Sequence, residues 1–486
     1  MAGLILNDDF MRFVASKYHE NYKFGEVGEQ DVRDAVRILK DTTVTDYVFN
    51  VNAQMSYSPS KVWMTAEDKY NTTEENGHAV DYHNTFYKVW YDIFVLQQID
   101  MYQIWIEELN QMGIHPWISF RINDVHDHDK RYGGIRRSVF FDKGRENGFV
   151  RTQHRDKAAY FDDCLDFKHK EVRDYHLAYM EEQLMRYDVY GAELDFMREP
   201  FLCSPGEEEM LCGILLEFFR DVKKIIKKAE QKFGHPIKLS LRCLRDIRTA
   251  LDSGLDVYAL VREKLVDMLI PSPRYLTCDN DMPLYEWKKA FEGEQIELAA
   301  GADLLYLSCA RKNINLKDET VAALAMQYQT NGADYIYLYN YTYLEKNEMY
   351  KVLGDVERLA KLPRRHIVSF QDLGYLHTTV YNPLPIALNA GYQYLRIQTG
   401  RIDKGSKVIL RLGCDKPLTR VYVNSGKCIP LGTENIEEEY YPAQVQAFQI
   451  EKYNQKEQIV EVSCIEGATL AYAEIFVVPD ANNQKN

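Results

Sequence analysis

The sequence predicts an α/β chain, a closed (βα)8 barrel over residues 1–365 followed by an all-β sandwich over 366–486. Three observations carry this. A mixed-charge helix that ends near a Gly and leads into an apolar strand recurs at 110–121, 185–196, 231–243 and 329–341. Eight short apolar strands can be counted before residue 341. From about 366 the helical periodicity stops, and short alternating strands separated by turn signals take over.

Each element has a local reason. The first strand, GLILND (3–8), runs into NDDF and not into a Gly-rich phosphate turn, which argues against a doubly wound dinucleotide fold. DYVFNVN (46–52) and PWISFRI (116–122) are the second and third strands. The helix EVRDYHLAYMEEQLMRY (171–187) leads to the fourth, GAELDF (191–196), and the helix at 210–233 leads to the fifth, IKLSLRC (237–243). VDMLIPS (266–272), IELAAG (296–301) and DYIYLYN (334–340) complete the set. A Gly just past a helix supplies a left-handed C-cap. Apolar strands alternating with amphipathic helices are parallel βα units, and eight of them close a barrel. Two long connections, 53–95 and 123–165, follow C-terminal strand ends and are rich in Tyr, His, Asp, Asn and Arg. They are expected to wall or cover the barrel mouth. The later strands, among them KVILRLG, RVYVNSGK and QIVEVSC, read as a sandwich of jelly-roll type. Its acidic cluster Glu434, Glu437, Glu438 and Glu439 reads as a solvated turn.

Composition narrows the function classes. Hydrophobic residues make up 46% of the 486, enough for a large core. A net charge of −14 argues against a nucleic-acid partner, which needs a basic face. MAGLILNDDF lacks the charged and apolar regions of a signal peptide, and no apolar run reaches the ~18 residues of a membrane span. Nine cysteines without a CxxC pair fit free thiols. A cytoplasmic chain without a membrane partner is expected, and an oligomer is compatible with all of this.

Barrels of this kind collect their chemistry at the C-terminal strand tips. The tips here supply Asp8 and Asp9, Asn50 and Asn52, then Arg121, Asn123 and Asp124. Further round come Glu193, Asp195 and Arg198, then Arg242, and finally Tyr339 and Asn340. Carboxylates accept from hydroxyls, amides do both, and Arg donates in a fixed fork, so the set suits a polyhydroxyl substrate. An acid pair can also cleave a glycosidic bond. Asp195 is expected to be the nucleophile or base, and Asp124 the acid, with Glu193, Asp8 and Asp9 behind it. Glu193, one strand repeat below Asp195, is expected to be tied to Arg121 or Arg242. Asn50, Asn52, Asn123, Asn340, Tyr339 and the arginines would bind hydroxyls. NDVHDHD (123–129) matches no named metal spacing, so neither a metal nor another cofactor is expected. Two readings stay beside the hydrolase: a carbohydrate-binding barrel without turnover, and a metal-dependent sugar isomerase or lyase using that loop.

One segment also carries a resemblance. Residues 164–200 resemble the glycosyl-hydrolase-like barrel families, in particular glycosyl-hydrolase-like family 10. The matching residues are Glu171, Val172, Arg173, Asp174 and Tyr175, then Arg186, Tyr187, Asp188, Val189 and Gly191, and then Asp195 and Pro200. Tyr190 departs from the pattern, where an acid is usual, and ELDF replaces a double-Asp tip. The C-terminal stretch resembles the galactose-binding-like sandwiches appended to many glycosidases. The resemblance implies a barrel that acts on glycans, with the fourth-strand acid Asp195 as its catalytic group.

Overall fold

The computed structural model describes residues 2–65, 67–68, 74–75, 78–79, 85–126, 137–150, 163–273, 277–303, 305–307, 312–340, 348–369, 383–388, 391–464 and 467–480. Eight parallel strands form a closed barrel. They are β1 (Gly3–Asp9), β2 (Val44–Asn50), β3 (His115–Arg121), β4 (Gly191–Asp195), β5 (Lys238–Leu244), β6 (Met268–Ser272), β7 (Glu297–Ala302) and β8 (Tyr335–Tyr339). Each pairs with its neighbours in chain order, and β1 pairs with β8 to close the ring. The order is that of successive βα units, as the alternating pattern requires.

Two helix ends follow the expected C-cap physics. Met101–Met112 stops at Gly113 (φ 73°), and Glu208–Phe233 stops at Gly234 (φ 82°). Both glycines occupy the left-handed region, where a Cβ would clash with the backbone. Gly191 does something else. Its helix has already ended at Arg186, and Gly191 opens β4 with its missing side chain against the Trp117 indole. A Cβ there would lie 2.3 Å from two carbons of the indole, far inside van der Waals contact.

Side chains alternate across each strand. Outward residues join the large core between barrel and helices, including Leu4, Tyr47, Phe49, Ile118 and Leu241. Inward residues build a second, smaller core inside the barrel: Ile5, Val48, Trp117, Met268, Ile270, Ala299, Tyr337 and Tyr339. The register places Ser119 beside Glu193 and Arg121 beside Asp195. On the other side, Glu193 neighbours Ser240 and Asp195 neighbours Arg242. Both β4 acids therefore point into the barrel.

The second body is antiparallel. Its strands are β9 (Arg364–Ile367), β10 (Ile386–Leu388), β11 (Gln393–Gln398), β12 (Lys407–Cys414), β13 (Leu418–Val423), β14 (Gly426–Lys427), β15 (Ile429–Glu434), β16 (Val445–Gln449), β17 (Glu457–Cys464) and β18 (Ala468–Val478). One sheet runs β9-β18-β12-β16-β15 with β10 beside β18, and the other runs β11-β17-β13-β14. Leu410, Leu412, Val460, Val462 and Ile475 fill the space between them. The architecture is thus a (βα)8 barrel followed by a β-sandwich. β9 straddles the expected boundary at 365/366 and pairs with β18.

The acidic cluster of the sandwich is a solvated turn only in part: Glu438 and Glu439 are exposed in a turn, whereas Glu434 and Glu437 are paired. Glu437 accepts from Lys317 of the barrel at 2.7 Å and from Arg365, while Glu434 accepts from Arg411 at 2.6 Å. Burial alone would raise the Glu437 carboxyl, yet Lys317 and Arg365 hold it below its usual range. Cys164, Cys203, Cys212, Cys243, Cys278, Cys414 and Cys428 are free thiols. Among the described residues no helix is long and apolar enough to cross a membrane.

Candidate active site

The inward strand tips place three arginines against three aspartates. Arg242 donates to Asp195 Oδ1 at 2.9 Å. Arg121 donates to Asp9 at 2.9 Å and lies 3.8 Å from Asp124. Arg198 Nε lies 3.4 Å from the same Asp124 carboxylate. Tyr339 sits between them, its hydroxyl 3.3 Å from Arg121 and 3.4 Å from Arg198, with the Arg242 guanidinium 3.6 Å above its ring. All but the partly exposed Asp9 are buried: Asp195 is 0% exposed, Arg242 2% and Arg121 2%. Buried ions persist only when paired and hydrogen-bonded, and this mouth meets that condition by matching charges one to one.

Asp195 is held on one side only. Its Oδ1 takes Arg242 and the Met197 N–H, the latter at 2.9 Å. Its Oδ2 is buried and has no hydrogen-bond partner among the described residues. Glu193 is not tied to an arginine as the sequence suggested. Its Oε1 accepts a 2.6 Å hydrogen bond from Ser119, and its Oε2 is buried without a hydrogen-bond partner among the described residues. The Tyr337 hydroxyl faces it without good hydrogen-bond geometry. Burial, and then the neighbouring charge of Asp195, push the Glu193 carboxyl up to about 7.

Asp124 differs from the expected acid. Its Oδ1 lies 2.5 Å from His126 Nδ1 and accepts the His126 N–H at 3.0 Å. Burial would raise this carboxyl, but His126, Arg198 and Arg121 override it and hold it far below the usual carboxylate range. A group so held is a carboxylate at neutral pH, suited to orienting His126 and ill suited to giving up a proton.

Three other expected site residues have their side chains committed elsewhere. Asp8 points outward from β1, where it pairs with Arg12 and accepts from Tyr47. Alternation turns Asn7 and Asp9 inward in its place. Asn52 spans two backbones: its Oδ1 accepts Arg121 N–H at 3.1 Å, and its Nδ2 donates to Arg121 and Ala53 carbonyls. Asn123 adopts φ 66° and pins two loops, accepting Leu165 N–H at 2.6 Å and donating to the Phe201 carbonyl at 2.7 Å. The buried Oδ1 atoms of Asn50 and Asn340, and Asn7 Nδ2, have no hydrogen-bond partner among the described residues.

The described parts of the two long connections meet over β3. Gln54 donates to the His126 carbonyl at 2.6 Å and accepts from Ser138 N–H at 3.4 Å. Phe140, Tyr175, Trp63 and Tyr179 stack in a column beside them, with centroids 3.7, 4.4 and 4.3 Å apart. A cavity of about 20 Å³ between Gln54, Asp124, Phe140 and His176 is large enough for one water. Asp127, His128, Arg274 and Tyr341 lie outside the described residues, and no cluster of three metal-ligating side chains occurs among the described ones. Ser119 and Tyr337 are site neighbours that the tip list missed. Counting back by two from Arg121 and from Tyr339 would have found them.

Tyr190, which departs from the family-like pattern, lies at the opposite end of β4. It stacks on His115 at 3.8 Å under Lys238, so it takes no part in the mouth.

No family model matches the sequence, and no curated protein matches it. Solved structures with a similar chain course include α-L-fucosidase isoenzyme 2 from Paenibacillus thiaminolyticus, at 11% identity and TM-score 0.42 over 73% of this chain. This chain spans 49% of that fucosidase. The PgaB (BpsB) glycoside hydrolase domain from Bordetella bronchiseptica is similar at 10% identity and TM-score 0.44, over 73% of this chain and 99% of that one. The α-amylase from Geobacillus thermoleovorans, solved with acarbose, is similar at 11% identity and TM-score 0.40, over 95% and 98%.

Proposed function

We propose that this chain is a glycoside hydrolase of the glycosyl-hydrolase-like family 10 type, with an appended galactose-binding-like sandwich, and that Asp195 is its nucleophile or base. One observation supports this most. Asp195 has one oxygen anchored by Arg242 and the Met197 N–H, while the other is buried, unpartnered and on the inward face of β4. A carboxylate fixed at one oxygen and open at the other can attack an anomeric carbon or take a proton from water without reorienting. Arg121, Arg198, Tyr339, Asn50, Asn340 and Asp9 surround it with donors and acceptors for sugar hydroxyls. The buried amide oxygens of Asn50 and Asn340 would gain a donor from such a ligand.

Asp124 fixes the Nδ1 side of the His126 ring, and Arg198 lies 3.3 Å from Nε2. A guanidinium only donates, so Nε2 accepts from Arg198 and has no proton to pass to a leaving oxygen. Asp124 then acts by holding His126, which in turn helps to hold Arg198, and not as the acid itself.

The complete burial of Asp195 favours a second reading, a barrel that binds a glycan without turning it over. A panel of aryl glycosides and plant or bacterial oligosaccharides tests both. Hydrolysis by the native chain, lost in Asp195→Asn, supports the hydrolase. A sugar that raises the melting temperature of the native chain but releases no product supports the binding barrel.

A further inference from the structure

The charge count at the mouth leaves one carboxyl over. Asp9, Asp124 and Asp195 each face an arginine, and Glu193 is the fourth acid. It is fully buried one strand repeat below Asp195. Every element packed against it can be read. From β3 it meets Ser119, at 2.6 Å, and from β4 the carboxylate of Asp195. From β5 it faces Arg242, which donates its hydrogen bond to Asp195. From β8 it faces the Tyr337 hydroxyl, itself pushed well above its usual range by burial and by Glu193. Ser240, its β5 neighbour in register, is neutral. Glu193 therefore has one serine hydroxyl, one phenol, and a share in a cation already committed to a second acid.

We propose that Glu193 is carried as the neutral carboxylic acid and serves as a positioning residue, leaving the Arg242 cation to Asp195 alone. The functional part rests on Asp195 being the reacting carboxylate, while the protonation state can be measured without any substrate. A neutral Glu193 keeps one cation and one anion at this level of the barrel. An ionised Glu193 would set a second buried anion beside Asp195, raise the proton affinity of Asp195, and draw Arg242 between two acids.

Infrared difference spectroscopy of the full chain between pH 5 and pH 9 tests this. The expected result is a carbonyl stretch of a protonated carboxylic acid that disappears with a midpoint near neutral pH. It should shift on ¹³C labelling of glutamate carboxyls in the unmutated chain, which assigns it to Glu without depending on a variant that folds. It should be absent in Glu193→Gln. In Asp195→Asn it should persist with a lower midpoint, because the neighbouring anion is gone. Absence of any protonated-glutamate band above the ordinary carboxylate range overturns the proposal, as does a band that survives in Glu193→Gln. Failure of Asp195 to catalyse anything would leave this spectrum unchanged, so the two readings fail separately.

Discussion

Asp195 and Glu193 have the same strand, the same orientation and nearly the same burial, yet opposite electrostatic surroundings. Asp195 receives a guanidinium and a backbone N–H, and Glu193 receives a serine. This asymmetry has a consequence for stability. Glu193 rises from 4.5 to about 7 on folding, so its contribution is fully present below pH 4.5 and is lost as pH rises through 7. Stability of the native chain relative to Glu193→Gln should therefore fall across that window, by on the order of 3 kcal/mol. Urea titrations of both proteins at several pH values check it, and a flat difference would contradict it. Asn123 makes a different residue-scale prediction. It holds φ 66° and bridges Leu165 and Phe201. Asn123→Ala should cost about 1 to 3 kcal/mol in urea melts through the unmet Leu165 N–H and Phe201 carbonyl, and should not act through a lost sugar contact.

At the scale of elements, β4 carries both proposed site acids and a packing constraint. Gly191 lets the strand pass the Trp117 indole, and the pass sets how far Glu193 and Asp195 project into the barrel. Gly191→Ala should destabilise the fold by about 1 to 3 kcal/mol, as overpacking does, measured by the shift of the urea midpoint. The strands themselves were legible in the sequence because each is an apolar run of five to seven residues bounded by polar tips. Their phase was not. A strand buried on both faces shows no alternation, so NDD at the end of β1 does not say which acid turns inward. The structure turns Asp9 in and Asp8 out, toward Arg12 and Tyr47. The partner of Glu193 was illegible for a related reason. It depends on the register between β3 and β4, which places Ser119 and not Arg121 at that level. Asp124 was legible as a site acid, but His126 two residues on, which fixes its charge, was read only as part of a metal-like loop.

At the scale of the whole molecule, barrel and sandwich share a core and a charge network. Tyr440, Tyr441, Val445 and Tyr472 belong to the same buried cluster as the barrel helices. Glu474, fully buried on β18, accepts from Arg365 at 2.9 Å and from Arg411 at 2.7 Å, and Arg365 also reaches Glu437, which binds Lys317 of the barrel. Removing one partner of a buried pair leaves the other charge uncompensated. Glu474→Ala should cost about 3 to 5 kcal/mol and lower the thermal transition, with the Asp195 site left intact. The proposed catalysis is the remaining whole-molecule property, since it would need the strand, the arginines and the overlying connections together. Its most direct test is the turnover of Asp195→Asn beside the native chain on a glycoside that the native chain hydrolyses. Turnover should fall by about 10³-fold or more while sugar binding weakens only modestly, because the lost interaction is made in the transition state. Full activity in Asp195→Asn would contradict the assignment and leave the β4 acids a purely structural pair.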